Sequence, residues 1–145
     1  AGVLVVDLGR HEAGGSVTVG VSPESLALSP DGRFAVTANL RGSFLPNSDA
    51  RHTRGGSLSL LGFDAGTGTL SPLGEFPIAA MPEGLAFDAS GRHLVVSQFR
   101  SFDPGAVDGE LAFFRVREDG GRARLEQADF FVGVGVGPHG VLIVR

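Results

Sequence analysis

The stretch PESLALSPDGRFAVTANLR at residues 23–41 is the strongest indication of the fold, because it occurs again 59 positions later as PEGLAFDASGRHLVVSQFR at 82–100. Eight of the 19 aligned pairs are identical: Pro23/Pro82, Glu24/Glu83, Leu26/Leu85, Ala27/Ala86, Gly32/Gly91, Arg33/Arg92, Val36/Val95 and Arg41/Arg100. A shift of 53 then aligns GGSLSLLGF at 55–63 with DGELAFFRV at 108–116. Near the end, GPHGVLIV repeats the start of the unit. The chain is therefore built from a repeat of about 55–59 residues.

Each repeat contains four predicted strands separated by turn signals. SPDGR at 29–33 and DASGR at 88–92 are typical of tight hairpin turns between alternating apolar runs. Apolar residues occupy both faces of several strands, which indicates small sheets packed between neighbours. The predicted strands are 25–29, 33–39, 57–63 and 69–78 in one unit, and 84–88, 92–99, 110–116 and 123–132 in the other. The sequence thus predicts an all-β fold, a β-propeller of four-stranded antiparallel blades.

The 145 residues correspond to about two and a half blades. We predict the third and fourth strands of one blade at 1–21, complete blades at 22–79 and 80–136, and the first strand of a further blade at 137–145. Closed propellers have roughly 4 to 8 blades. We therefore expect the ring to be completed by remaining blades of the same protein or by a second copy of this chain.

Composition excludes several classes of protein and site. The 23 Gly and 8 Pro argue against a bundle of long helices, and no apolar run is long enough to predict a membrane-spanning helix. With no Cys there is neither a disulfide nor a thiolate site, and all 12 basic residues are Arg, so lysine chemistry is also excluded. The net charge of −4 without a basic block argues against a nucleic-acid partner.

The source and compartment are only weakly constrained. Arginine as the sole basic residue type, with abundant Gly and Ala, is typical of a GC-rich coding sequence, and we expect a bacterial source. No secretory signal peptide is visible before the first apolar run at 3–6. A cytoplasmic and a periplasmic or secreted location both stay open.

Three stretches carry a family resemblance: SPDGRFAVTAN at 29–39, FDAGTGTL at 63–70 and GPHGV at 137–141. They resemble the YVTN or lactonase-type seven-bladed β-propeller family, which includes 6-phosphogluconolactonase-like and carboxymuconate-lactonising proteins. The resemblance covers essentially the whole chain, as a C-terminal fragment. The second unit departs from the pattern with DASG in place of SPDG, and the last unit stops after its first strand. The motif is specific for the blade rather than for an activity.

Blade geometry predicts where a site lies. In an up-and-down blade, the loops after the second strand and the links to the next blade share one end. The two longest irregular stretches, 40–55 and 100–108, fall at that end. Glu24, Glu83 and His139 lie in the links, and we expect them to ring the mouth of a central channel, where long loops on a rigid scaffold favour binding.

Two interpretations of the repeated pairs Glu24/Arg41 and Glu83/Arg100 stay open. Each pair is placed to form an ion pair that joins the first two strands of its blade. Alternatively, Glu24 or Glu83 is a general base for water that attacks a lactone carbonyl, and Arg41 or Arg100 holds the oxyanion or a substrate phosphate or carboxylate. The resemblance implies a channel lined by His, Arg and Glu, which is similar in kind.

The histidines and amides likewise have both functional and structural interpretations. His139 replaces the repeat's Glu, which favours a role in proton transfer, although its ring is equally suited to hydrogen-bond a backbone carbonyl. His52 is a candidate substrate ligand or a solvated loop residue, and we expect His93 to be structural. Asn39 and Gln98 are placed to bind a ligand or to satisfy the loop backbone.

No cofactor is predicted from these residues. Carboxylates of Asp103 and Asp108 with Glu83 would suit a channel Ca²⁺ ion, but no spacing of a known calcium loop supports it. GVGVGPHG at 133–140 lacks the strand-then-helix context of a nucleotide-binding loop, and we reject that interpretation.

The functional prediction is part of a lactonase-like propeller that hydrolyses a sugar or organic-acid lactone. We expect Glu24, Glu83 or His139 to activate water, and Arg41, Arg100, Asn39, Gln98 and His52 to contact substrate. The alternative is a non-catalytic propeller that binds a protein, glycan or small ligand on the same loop-rich face. A purely scaffolding segment is a third interpretation.

Overall fold

The computed structural model describes residues 1–102, 105 and 109–144, and this part of the chain contains ten strands and no helix. The strands are β1 Gly2–Asp7, β2 Glu12–Thr18, β3 Pro23–Leu28, β4 Phe34–Asn39, β5 Gly56–Asp64, β6 Thr69–Ile78, β7 Ala80–Phe87, β8 His93–Ser101, β9 Glu110–Asp119 and β10 Arg122–Gly133. They form a two-stranded sheet, β1-β2, and two four-stranded sheets in the orders β3-β4-β5-β6 and β7-β8-β9-β10. The all-β class and the four-stranded antiparallel meanders predicted from the repeat are confirmed.

The two four-stranded sheets span residues 23–78 and 80–133, one for each repeat. Residues 134–144 follow without forming a strand, and Arg145 lies outside the described residues. The predicted blade boundaries, and the strand expected at 137–145, stay predictions. None of the described residues belongs to a helix that is long and apolar enough to cross a membrane.

The hairpin turns predicted at SPDGR and DASGR both depend on a glycine with positive φ. Gly32 has φ 70° and Gly91 has φ 67°, a backbone region that costs other residues energy. In the second turn, partial burial of Asp88 opposes ionisation. Hydrogen bonds from the backbone and ring of His93 and from Ser90 outweigh this and lower the pKa of Asp88 to about 2. His93 thus holds the turn, in line with the structural role expected of it.

The main core lies between the two four-stranded sheets. Val36 and Leu60 on one sheet and Leu94 on the next are all fully buried in this layer. Burying such a side chain stabilises the fold by about 1.5–3 kcal/mol. The other face of β4 and β5 packs on the two-stranded sheet through a smaller cluster of buried residues: Val17, Val19, Ala35 and Leu61. The three sheets therefore stack side by side, with the middle one buried on both faces.

The two ends of the stacked sheets differ in character. At one end lie the tight turns, and there the Arg33 guanidinium donates hydrogen bonds to both carboxylate oxygens of Glu118 on the neighbouring sheet, at 3.2 and 2.5 Å. At the opposite end lie the long loop 40–55 and the chain segments that link one sheet to the next. We refer to this second end as the loop face.

Candidate functional site

A histidine and a buried carboxylate meet on the loop face. Glu83 lies on β7, an edge strand of its sheet, with its side chain 6% exposed. The Nδ1 atom of His139 is 3.6 Å from the Oε2 atom of Glu83, and the imidazole is 71% exposed. The pair therefore combines a carboxylate shielded from water with an imidazole that an incoming molecule can reach.

Backbone contacts hold His139 against β7. The Ser97 hydroxyl donates a hydrogen bond to the His139 carbonyl oxygen at 3.0 Å and accepts one from the Gly84 N–H at 2.8 Å. A Cβ atom at Gly84 would lie 2.4 Å from the His139 carbonyl oxygen, so only glycine permits this approach. The edge of the imidazole packs on the Phe99 ring, with ring centroids 5.2 Å apart.

Burial and two neighbouring charged groups act on the ionisation of Glu83. Burial raises the pKa of the Glu83 carboxyl, and the negative charge of Glu24 raises it further. The imidazole of His139 acts in the opposite direction and lowers this pKa. Next to the pair, the Ser25 hydroxyl donates a hydrogen bond to the Glu83 carbonyl oxygen, which joins β3 to β7. The structure thus brings Glu83 and His139 together, and Glu24 acts on the pair through its charge.

Among the described residues, neither of the two Glu–Arg ion pairs predicted from the sequence forms, and that interpretation is wrong. Glu83 faces His139 instead of Arg100. The reason is a pair of bulges: strand pairing shifts between Pro23 and Ser25 in β3, and between Pro82 and Leu85 in β7, so that both glutamates fall outside the regular ladder. A simple count along the strands cannot anticipate where such a side chain points.

The two arginines lie elsewhere on the loop face. Arg41 is exposed, has φ 58°, and donates its backbone N–H to the Val21 carbonyl oxygen at 2.9 Å. Arg100 is also exposed, and its guanidinium carbon lies 5.2 Å from the centre of the Phe102 ring. Both side chains are open to solvent.

The predicted ligand-binding amides are both buried. Asn39 is 0% exposed, and its Nδ2 donates to the hydroxyls of Ser57 at 3.2 Å and Ser59 at 2.9 Å. Gln98 is 2% exposed, and its Oε1 has no hydrogen-bond partner within the described part of the chain. Neither amide lies at the surface of the candidate site.

His52 supports the long loop. Its Nδ1 lies 2.9 Å from the Leu45 carbonyl oxygen, and its ring packs edge-on against Phe102 with centroids 5.9 Å apart. These contacts join the loop 40–55 to the start of the next irregular stretch.

Sequence reasoning missed the apolar residues on this face. A cleft of about 660 Å³ separates residues 43–48 from the neighbouring sheet. Three of its lining residues are Phe44, Met81 and Phe99, next to Arg100. The one feature of the sequence that could have indicated this cleft was a large apolar residue, Phe44, in a long irregular loop.

The predicted calcium ligands Asp103 and Asp108 lie outside the described residues. In the part that is described, no three His, Asp or Glu side chains are grouped so that they could hold a metal ion.

Comparison with known proteins supports the fold. No protein-family model and no curated protein sequence matches this chain. A periplasmic gluconolactonase of Pseudomonas aeruginosa superposes with a TM-score of 0.54 and 24% identity, covering 86% of this chain and 34% of that chain. Hydrazine synthase of Kuenenia stuttgartiensis superposes with a TM-score of 0.54 and 16% identity, covering 87% of this chain and 35% of that chain.

The chain thus spans about a third of the length of both solved structures. Similarity at this level of identity bears on the fold alone. Together with the stacked antiparallel sheets, it confirms the predicted fold: about two and a half blades of a β-propeller.

Proposed function

We propose that this chain is part of a lactonase-like β-propeller in which the Glu83–His139 pair hydrolyses a sugar or organic-acid lactone. The observation that carries the proposal is the buried Glu83 carboxylate 3.6 Å from an imidazole that is 71% exposed. The similarity in fold to a periplasmic gluconolactonase supports it further.

The chemistry requires one base and one group that keeps this base in position. With Nδ1 of His139 facing Glu83, Nε2 is the nitrogen that takes a proton from water. The water oxygen attacks the lactone carbonyl carbon, the ring C–O bond breaks, and the imidazolium returns its proton to the departing alkoxide oxygen. Glu83 stabilises the imidazolium formed during the reaction. The product is the open-chain hydroxy acid.

Glu24 has a secondary part in this scheme. Its charge raises the pKa of Glu83, so it acts on the pair rather than on the lactone. Arg41 is a candidate for holding the carbonyl oxyanion because it is exposed on the same face. The substrate is a small-molecule lactone, and the ring is completed by remaining blades of the same protein or by a second copy.

Hydrolysis of glucono-δ-lactone, followed by proton release in a pH-stat, tests the proposal. We expect a rate above spontaneous hydrolysis, and a loss of about 100-fold or more in His139→Ala and Glu83→Ala. His93→Gln is the matched control, because His93 also contacts a carboxylate but at the opposite end of the blade.

A wild-type rate equal to the spontaneous rate would refute lactone hydrolysis by this chain. It would favour the alternative predicted from the sequence, a non-catalytic propeller that binds its ligand on the loop face.

A further inference from the structure

We propose that the cleft beside the Glu83–His139 pair binds a small organic anion that has an apolar ring or chain and a carboxylate. The cleft has a volume of about 660 Å³, within the usual range of small-molecule sites. We define it by Phe44, Met81, Phe99 and Arg100 and call it the Phe44 cleft. Binding there does not depend on lactone hydrolysis.

The outer wall of the Phe44 cleft is formed by residues 43–48 and is held in place by hydrogen bonds. The Ser43 hydroxyl donates to the Leu40 carbonyl oxygen at 2.7 Å, and the Gly42 N–H donates to the Thr53 hydroxyl at 3.0 Å. The His52 ring lies 2.9 Å from the Leu45 carbonyl oxygen. A wall fixed in this way loses little further freedom when a ligand binds.

The inner wall belongs to the neighbouring sheet and consists of Met81, Phe99 and Arg100. Phe99 lines the cleft and contacts the His139 ring, so the cleft and the Glu83–His139 pair share this side chain. Arg100, at the cleft, lies over the ring of Phe102, whose N–H donates to the Ala79 carbonyl oxygen at 2.8 Å. The stacked ring restricts where the guanidinium can move.

The two kinds of lining residue select the two parts of the ligand. Phe44 is 51% exposed, and with Met81 and Phe99 it forms an apolar surface that a ligand would shield from solvent. Arg100 forms no ion pair with any described residue, so its fork of N–H donors is available for a carboxylate. Ser43, Asn47 and Ser48 also line the cleft. This pattern favours an aryl or alkyl carboxylate over a fully hydroxylated sugar acid.

Isothermal titration calorimetry of the chain with 4-phenylbutyrate tests the proposal. We expect binding of 4-phenylbutyrate, and dissociation constants about tenfold or more higher for two comparison compounds. Gluconate keeps the carboxylate without the apolar body, and 4-phenylbutan-1-ol keeps the apolar body without the charge. Equal or tighter binding of gluconate would overturn the proposal, as would the absence of 4-phenylbutyrate binding.

Variants locate the binding. Arg100→Gln and Phe44→Ser should each raise the dissociation constant of 4-phenylbutyrate about tenfold. Arg124→Gln and Leu8→Ser change exposed residues away from the cleft and should leave it unchanged. Circular dichroism checks that each variant is folded, and unchanged affinity in both folded cleft variants would overturn the assignment. The calorimetry contains no lactone, so its result does not depend on the proposed function. If the chain binds 4-phenylbutyrate but does not hydrolyse glucono-δ-lactone, the proposed function is refuted and this inference stands.

Discussion

Glu83 is the residue whose environment most affects both stability and chemistry. Its carboxylate is nearly excluded from water, and no arginine in the described part of the chain forms an ion pair with it. Burial, with the charge of Glu24 adding to it, raises the pKa of the carboxyl in the folded chain. A raised pKa means that ionised Glu83 destabilises the fold.

The raised pKa of Glu83 leads to a prediction about how stability depends on pH. Below the unfolded pKa of about 4.3, the Glu83 carboxyl is protonated in both the folded and the unfolded chain, so it does not destabilise the fold there. The cost appears as the pH rises through the folded pKa. Glu83→Gln, which is always neutral, should therefore unfold at a higher temperature than the wild type at pH 7, and this gain should vanish near pH 4.

Thermal unfolding followed by circular dichroism at several pH values measures the effect. Glu24→Gln is the comparison, because Glu24 is exposed and contributes only through its charge on Glu83. We expect a smaller gain for Glu24→Gln. A Glu83→Gln variant that is less stable than the wild type at pH 7 would contradict the conclusion that the ionised Glu83 carboxylate destabilises the fold.

At the scale of elements, the close approach of the two four-stranded sheets depends on Gly56 at the start of β5. A Cβ atom there would lie 2.4 Å from the Asn39 carbonyl oxygen and 2.6 Å from the Pro82 ring. The first contact is with backbone, which cannot move without disturbing the β4-β5 ladder. The restriction is steric, since Gly56 is not among the residues with positive φ.

Gly56→Ala should therefore destabilise the fold by about 1–3 kcal/mol. Gly15→Ala is the matched control, because Gly15 also lies in a strand and a Cβ atom there would meet nothing within 4 Å. Urea unfolding of both variants measures the difference. Equal midpoints for the two would show that the sheets can separate at little cost.

The strands and turns also show which features of the fold a local sequence pattern can predict. The repeat predicted the paired strands and the turns at 29–33 and 88–92, because alternation and turn residues act over a few positions. The bulges at Glu24 and Glu83 were not predictable in the same way. Identical residues in both repeats suggested an ion pair with Arg41 or Arg100, but the bulges turn the carboxylates away.

For the whole molecule, the free face of the last sheet is the main feature. Val36, Leu58 and Leu60 are 0% exposed because the next sheet covers them. Their repeat counterparts Val95, Leu111 and Phe113 are only half-buried, with Phe130 stacked on Phe113 at 4.8 Å and 55% exposed. The positions that bury one blade against the next are thus uncovered on the final sheet, which is suited to contact another blade.

We therefore expect the chain to self-associate at micromolar concentration through this face. Sedimentation equilibrium should give an average mass above the 14.9 kDa of one chain. Phe130→Glu should shift the mass toward one chain, because a charge would be buried in the contact. Leu8→Glu, which changes an exposed apolar residue in a turn, should not; a strictly monomeric wild type would contradict the prediction.

The repeat, the strands and the turns can be predicted from the sequence alone. These follow from side-chain alternation and from glycines with positive φ, which are properties of short segments. Sequence also placed Glu24, Glu83 and His139 at one end of the blades, since the end of the sheet at which a residue falls is set by strand order alone.

Which side chains meet depends on the tertiary structure. Glu83 and His139 are 56 positions apart, and their contact depends on a bulge in β7 and on the space that Gly84 leaves for the final segment. The burial of Asn39 and Gln98 and the formation of the Phe44 cleft depend likewise on how neighbouring sheets and loops pack. Such contacts arise from three-dimensional packing between distant segments, and no local pattern encodes them.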